Sequence, residues 1–107
     1  MKDVDVLFSR SSGFLIERSD DDTDNICAQF GHVYRDGRFL VASLDGWQNC
    51  PGDEQESRRR ARALRKLGTV IMDGDWGELS VRFASSRFRE VARIIKPRQA
   101  ERVRQAA

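Results

Sequence analysis

At 107 residues the chain is the size of one domain and long enough to bury a core without disulfides or a structural metal. Its 39% hydrophobic and 34% charged residues fall outside the composition of disordered chains, and no run approaches the ~18 apolar residues of a membrane helix. The small net charge of +2 hides an asymmetry: residues 1–53 carry 5 Lys/Arg against 10 Asp/Glu, and residues 54–107 carry 14 against 7. Such a dipolar chain suits an acidic partner, a head-to-tail homo-oligomer, or charge neutralisation within one sheet.

The first residues alternate instead of forming an apolar block, so no secretory signal is expected and the compartment is read as cytoplasmic, with no membrane partner. Cys27 and Cys50 lack CxxC spacing and read as free thiols in a reducing interior.

Asp3 to Phe8 alternates as DVDVLF, with Val4, Val6 and Phe8 on one side, the pattern of a half-buried strand. Ser9 to Gly13 is a turn, and Phe14-Leu15-Ile16 is a short strand expected to pair with the first. Arg18 to Asn25 has four Asp and no periodicity, so it reads as a loop. Ile26 to Tyr34 reads as one strand with Ala28, Phe30, His32 and Tyr34 on one face. Asp36-Gly37 is the strongest hairpin signal in the chain. Phe39 to Leu44 is nearly continuous in apolar residues and predicts a central strand.

Gly52 to Gly68 is the clearest helix. Asp53 is its expected N-cap, and Glu56 stands at capping-box spacing. Glu54 and Glu56 suit the positive end of the helix dipole, while Arg65 and Lys66 suit the negative end. Gly68 is expected to stop the helix in the left-handed conformation. Ala61, Leu64 and Leu67, with Ala63, form a thin apolar stripe, which Arg60 flanks. Beyond the cap, six bases against the two acids Glu54 and Glu56 leave the helix strongly cationic.

Thr69 to Met72 is a short β-type run, and Asp73 to Gly77 is a turn. Glu78 to Phe83 alternates as a strand with Leu79, Val81 and Phe83 inward. Ser85 or Ser86 is the expected cap of a last helix whose Phe88, Val91, Ala92 and Ile95 form a core stripe. Pro97 ends it, and residues 98–107 read as a poorly packed helix or a frayed tail. The expected fold is a single α+β domain: an antiparallel sheet of five to six strands in the order ββββαββα, with helices packed on one face.

No sequence motif carries catalysis. GxGxxG, P-loop and GxSxG patterns are absent. The run from Asp20 to Asn25 lacks the glycine and distal glutamate of an EF-hand loop, so a solvated turn is favoured over a cation site. His32, the only histidine, has Tyr34 and Cys27 nearby, but no spacing links them. The expectation is a non-enzyme with no cofactor and no metal.

The cationic helices are the most specific feature. A regulatory or adaptor domain is expected to bind nucleic acid, or another acidic partner, through Arg58, Arg59, Arg62, Arg65 and Lys66, helped by Arg89 and Arg93. The alternative is a protein-interaction module, a homo-oligomer or a phage-type inhibitor of another protein, using Asp21 and Asp22 with Trp47 and Trp76. A tryptophan in a polar turn more often folds back over the core; an exposed one anchors an interface. The third reading is an enzyme centred on His32.

Overall fold

The computed structural model describes residues 2–46 and 54–100. Six antiparallel strands form one sheet: β1 (Ile16–Arg18), β2 (Asp24–Ala28), β3 (Gly31–Asp36), β4 (Phe39–Leu44), β5 (Thr69–Asp73) and β6 (Leu79–Ala84). Their order across the sheet is β1-β2-β3-β4-β6-β5. The helices are α1 (Lys2–Leu7), α2 (Glu54–Arg65) and α3 (Phe88–Ile95). Among the described residues no helix is long and apolar enough to cross a membrane.

Strand alternation sorts the side chains into two faces. Ile26, Ala28, Val33, Leu40, Ala42, Leu44, Leu79, Val81 and Phe83 turn to one face and form a single core with Val4 of α1, Leu64 of α2, and Val91 and Ile95 of α3. All three helices therefore cover the same face, and the α+β architecture is as expected. The other face shows the alternate positions. Asn25 is paired with Tyr34, Cys27 with His32, His32 with Ser43, and Ser43 with Ser80. The Ser43 and Ser80 hydroxyls share a hydrogen bond of 2.7 Å. β4 is central as expected, with Leu40, Val41 and Ala42 fully buried.

Several expectations fail locally. Asp3 to Phe8 lies in α1 and the turn after it, not in a strand. Val4 is buried, Leu7 and Phe8 pack on the core, and Val6 is exposed. That is helical spacing, and it overrides the alternation. Second, the run from Ile26 to Tyr34 is broken by a two-residue turn at Gln29-Phe30, with Ala28 paired to Gly31. Ala28 therefore faces the core, while His32 and Tyr34 face away from it. The expected loop at Arg18 to Asn25 is present at residues 19–23 as the turn of the β1–β2 hairpin, while its ends lie in the strands, with Arg18 paired to Asp24. Gly31 is required where the strands cross closely, because a Cβ there would overlap the Ser43 carbonyl.

Third, Gly68 does not take a positive φ. A Cβ there would overlap the carbonyl oxygen of Arg82, so Gly68 serves close packing of α2's exit against β6. Fourth, neither serine caps α3. Its N-cap is Arg87, with no side-chain cap bond, and a 3-10 turn over Ser85–Arg87 leads into the helix.

Residues 97–100 are not helical. Pro97 bridges Ala28 and Gln99 bridges Phe14. The Arg98 amide donates to Cys27 at 2.8 Å, and the Ala100 amide donates to Gly13 at 2.7 Å. The expected cap Asp53, and Trp47, Cys50 and residues 101–107, lie outside the described residues.

Candidate functional site

The cationic surface starts from α2. Leu64 is fully buried on the helix's apolar side, with Ala61 and Leu67 packed beside it. The remaining positions hold the bases, and several of these are paired. Arg58 Nε donates to Glu54 at 2.7 Å, and Arg59 stands 3.3 Å from Glu56. Arg65 donates to Asp73 of β5 at 2.8 Å. The helix is thus more compensated than its own two acids allow, because β5 contributes a third.

Asp73 reaches Arg65 through a β-bulge. Val70 pairs with Val81 and Met72 with Ser80, so Ile71 is an extra residue on β5. The insertion flips the alternation after it. Met72 turns to the open face and Asp73 to the helix side.

Arg60 departs from the solvent-facing set. Its side chain is only 17% exposed, and it pairs with Glu56. Its Nη1 donates to the Ile94 carbonyl at 2.7 Å, and its guanidinium carbon lies 3.9 Å from the centre of the Phe30 ring. Its Nε is buried without a hydrogen-bond partner. Arg60 is a structural cation closing the end of α3.

Arg58, Arg62 and Arg65 line a cavity of about 310 Å³ between α2 and the β5–β6 turn, together with Asp73 and Asp75. Arg62 and Lys66 are exposed and have no ion-pair partner among the described residues. Arg89 lies elsewhere, in a groove lined by Val6 and Leu7 of α1 and by Phe88. Arg93 is exposed on α3 with no ion-pair partner among the described residues.

A second cavity, of about 590 Å³, opens on the opposite face of the sheet over β1, β2 and β3. Glu17, Asp21, Asn25, Cys27, His32 and Tyr34 line it. The sequence offers no spacing for this group, because strand register assembles it. The His32 and Tyr34 rings stack with centroids 6.0 Å apart. Hydrogen bonds from Ser19 and Thr23 hold Asp21 below the usual carboxylate range. Burial, then the Glu17 carboxylate, pushes the Cys27 thiol above its ordinary range, with Arg98 opposing. Cys27 is therefore a neutral thiol near pH 7, the wrong state for a nucleophile. Asp22 sits at the exposed tip of the β1–β2 loop with φ of 65°.

Trp76 is 51% exposed on the β5–β6 turn and does not fold back over the core. Among the described residues no three His, Cys, Asp or Glu side chains are placed to hold a metal ion. Glu17, Asn25 and Asp75 were not singled out by sequence. Asn25 reaches the His32 face only through the β2–β3 register, because period-two alternation from His32 leads to positions 30, 28 and 26 instead. Comparison with protein-family models, with curated proteins and with solved structures finds no match for this chain.

Proposed function

We propose that this protein is a small non-enzymatic regulatory or adaptor domain that binds nucleic acid through the outer surface of α2. The observation that carries this reading is the grouping of Arg58, Arg62 and Arg65 around one cavity, with Lys66 one residue further along the chain. Guanidinium groups fork phosphate oxygens, and contacts of this kind are independent of base sequence. On this rim Arg65 pairs with Asp73 and Arg58 with Glu54, so Arg62 and the neighbouring Lys66 supply the uncompensated positive charge beside the Asp75 carboxylate. Arg59, exposed on the same helix, extends the cationic surface, and Arg60 takes no part because it is committed to α3.

The test is binding of a labelled oligonucleotide to the Arg59→Glu/Arg62→Glu double variant. Both residues are exposed, so the far-ultraviolet circular dichroism should be unchanged. Affinity should fall at least about tenfold, since two phosphate contacts become repulsions. Unchanged affinity would refute the assignment of this surface.

The open-face cavity favours a second reading, a protein-interaction module. Carboxylates at Glu17 and Asp21 beside the Tyr34 ring suit a cationic side chain of another protein. Under this reading, Asp21→Asn and Asp22→Asn weaken partner binding more than any change on α2 does.

A further inference from the structure

We propose that the α2 surface selects single-stranded nucleic acid, with a guanine stacked on Trp76 and its edge read by Asp75. This rests on α2 as a phosphate-binding surface and adds the base to it.

The β5–β6 turn supplies one wall of the α2 cavity. Gly74, Asp75 and Gly77 line it together with Arg62. Trp76 stands between two of these residues in the chain and is 51% exposed. It is a large apolar ring held in water at the rim of a cationic cavity. The turn holds it there. The Trp76 amide donates to Glu78 Oε1 at 3.0 Å, and the Gly74 amide donates to the Glu78 carbonyl at 2.8 Å. Gly46 packs so close behind the turn that a Cβ there would overlap the Trp76 carbonyl. The backbone of Trp76 is fixed before a ligand arrives, which lowers the ordering cost of a stack.

The charges on this rim select the ligand. Arg62 and Lys66 have no ion-pair partner among the described residues, which suits a phosphate. The indole face suits a base. In a duplex the base faces are covered by neighbouring pairs, so the stack is open to an unpaired strand alone. Asp75 also has no ion-pair partner among the described residues, and it lines the same cavity. Its carboxylate repels phosphate and can only accept hydrogen bonds, so it belongs with the base. Guanine satisfies it best, because N1–H and the N2 amino group are adjacent donors. Adenine and cytosine set an acceptor beside their amino group, and thymine sets acceptors on both sides of its N–H. An acidic peptide would match Arg62 and Lys66 but leave Asp75 facing like charge.

The probe is a labelled thymidylate strand of about ten nucleotides with one central guanine, beside the same strand without guanine and the duplex of each. Fluorescence anisotropy at low salt should place the guanine strand at least about fivefold above the plain strand. The plain strand should bind at least about fivefold tighter than duplex. Trp76→Ala should remove that advantage, leave duplex affinity and the salt slope unchanged, and abolish the quench of tryptophan fluorescence on binding. Trp76→Phe should retain most of the affinity. Asp75→Ala should erase the guanine preference while plain-strand binding stays at least as strong. Trp76 is exposed, so circular dichroism should be unchanged in its variants. Binding that Arg59→Glu/Arg62→Glu weakens but Trp76→Ala leaves unchanged would overturn this proposal and keep the phosphate surface. Equal affinity for strand and duplex, or for strands with and without guanine, would also overturn it. No binding of any strand would overturn both.

Discussion

The guanidinium of Arg60 donates to the backbone carbonyl of Ile94 at 2.7 Å and so ties α2 to the last turn of α3. The last carbonyls of a helix have no partner within it, and that end carries the negative pole of the dipole. A cation there both satisfies the carbonyl and opposes the pole. The same guanidinium covers the Phe30 ring. Arg60→Ala should therefore cost about 2–4 kcal/mol, summing a charge-assisted hydrogen bond and a part-buried cation–π contact. Arg59→Ala, one position away and exposed, should change stability by no more than about 0.5 kcal/mol. Urea denaturation of the two variants measures the contrast. Equal effects would show that the Arg60 contacts carry no special weight.

Gly31 and Gly37 make a matched pair for the β2–β4 region. A Cβ at Gly31 would overlap the Ser43 backbone, which cannot move without breaking the β3–β4 ladder. Gly37 sits in the β3–β4 hairpin at φ of 62° with open space around it. Gly37→Ala should cost about 1–2 kcal/mol, the left-handed penalty alone. Gly31→Ala should cost on the order of 3 kcal/mol or more, a register-breaking clash. Thermal melts of the two variants rank them, and Gly31→Ala as the milder change would contradict the close approach of β3 and β4.

The Cys27 thiol is pushed up first by burial and then by Glu17. Because the folded-state value lies above the unfolded one, the folded state holds its proton longer. Stability is fully present below the ordinary thiol value of 9.0 and declines as pH rises above it. In a Cys50→Ser background, the rate of alkylation by iodoacetamide should rise only at a pH above that of a free thiol. Glu17→Gln should move this midpoint down, and Arg98→Gln should move it up. A midpoint at or below that of the unfolded chain would contradict the burial of Cys27.

Much of the fold was legible where the pattern had one solution. β4, its hairpin at Gly37, β6 and the Val91 and Ile95 side of α3 follow directly from periodicity and turn chemistry. DVDVLF had two solutions. It alternates, but Val4, Leu7 and Phe8 also fall at helical spacing, and the core decided between them. The Gln29-Phe30 turn has no glycine, proline or asparagine at its two positions. Phe30 is held under Arg60, 30 residues later, which no local window contains. The cationic helix was legible as a count of charges. That one arginine turns inward, and that β5 lends Asp73 to another, depends on tertiary packing and on a bulge. The group of Cys27, His32 and Tyr34 depends on strand register, which composition does not encode.

The central claim is that the outer surface of α2 binds phosphate. It is tested most directly by titrating salt against binding to labelled single- and double-stranded DNA and RNA. Log affinity should fall linearly with log salt, with a slope of about −0.9 per phosphate contacted on duplex DNA, so roughly −2 for Arg62 and Lys66, the exposed bases of this surface with no ion-pair partner among the described residues. The Arg59→Glu/Arg62→Glu variant should bind more weakly and with a shallower slope. Absence of binding at low salt, or binding whose strength and slope the double variant leaves unchanged, would contradict the account.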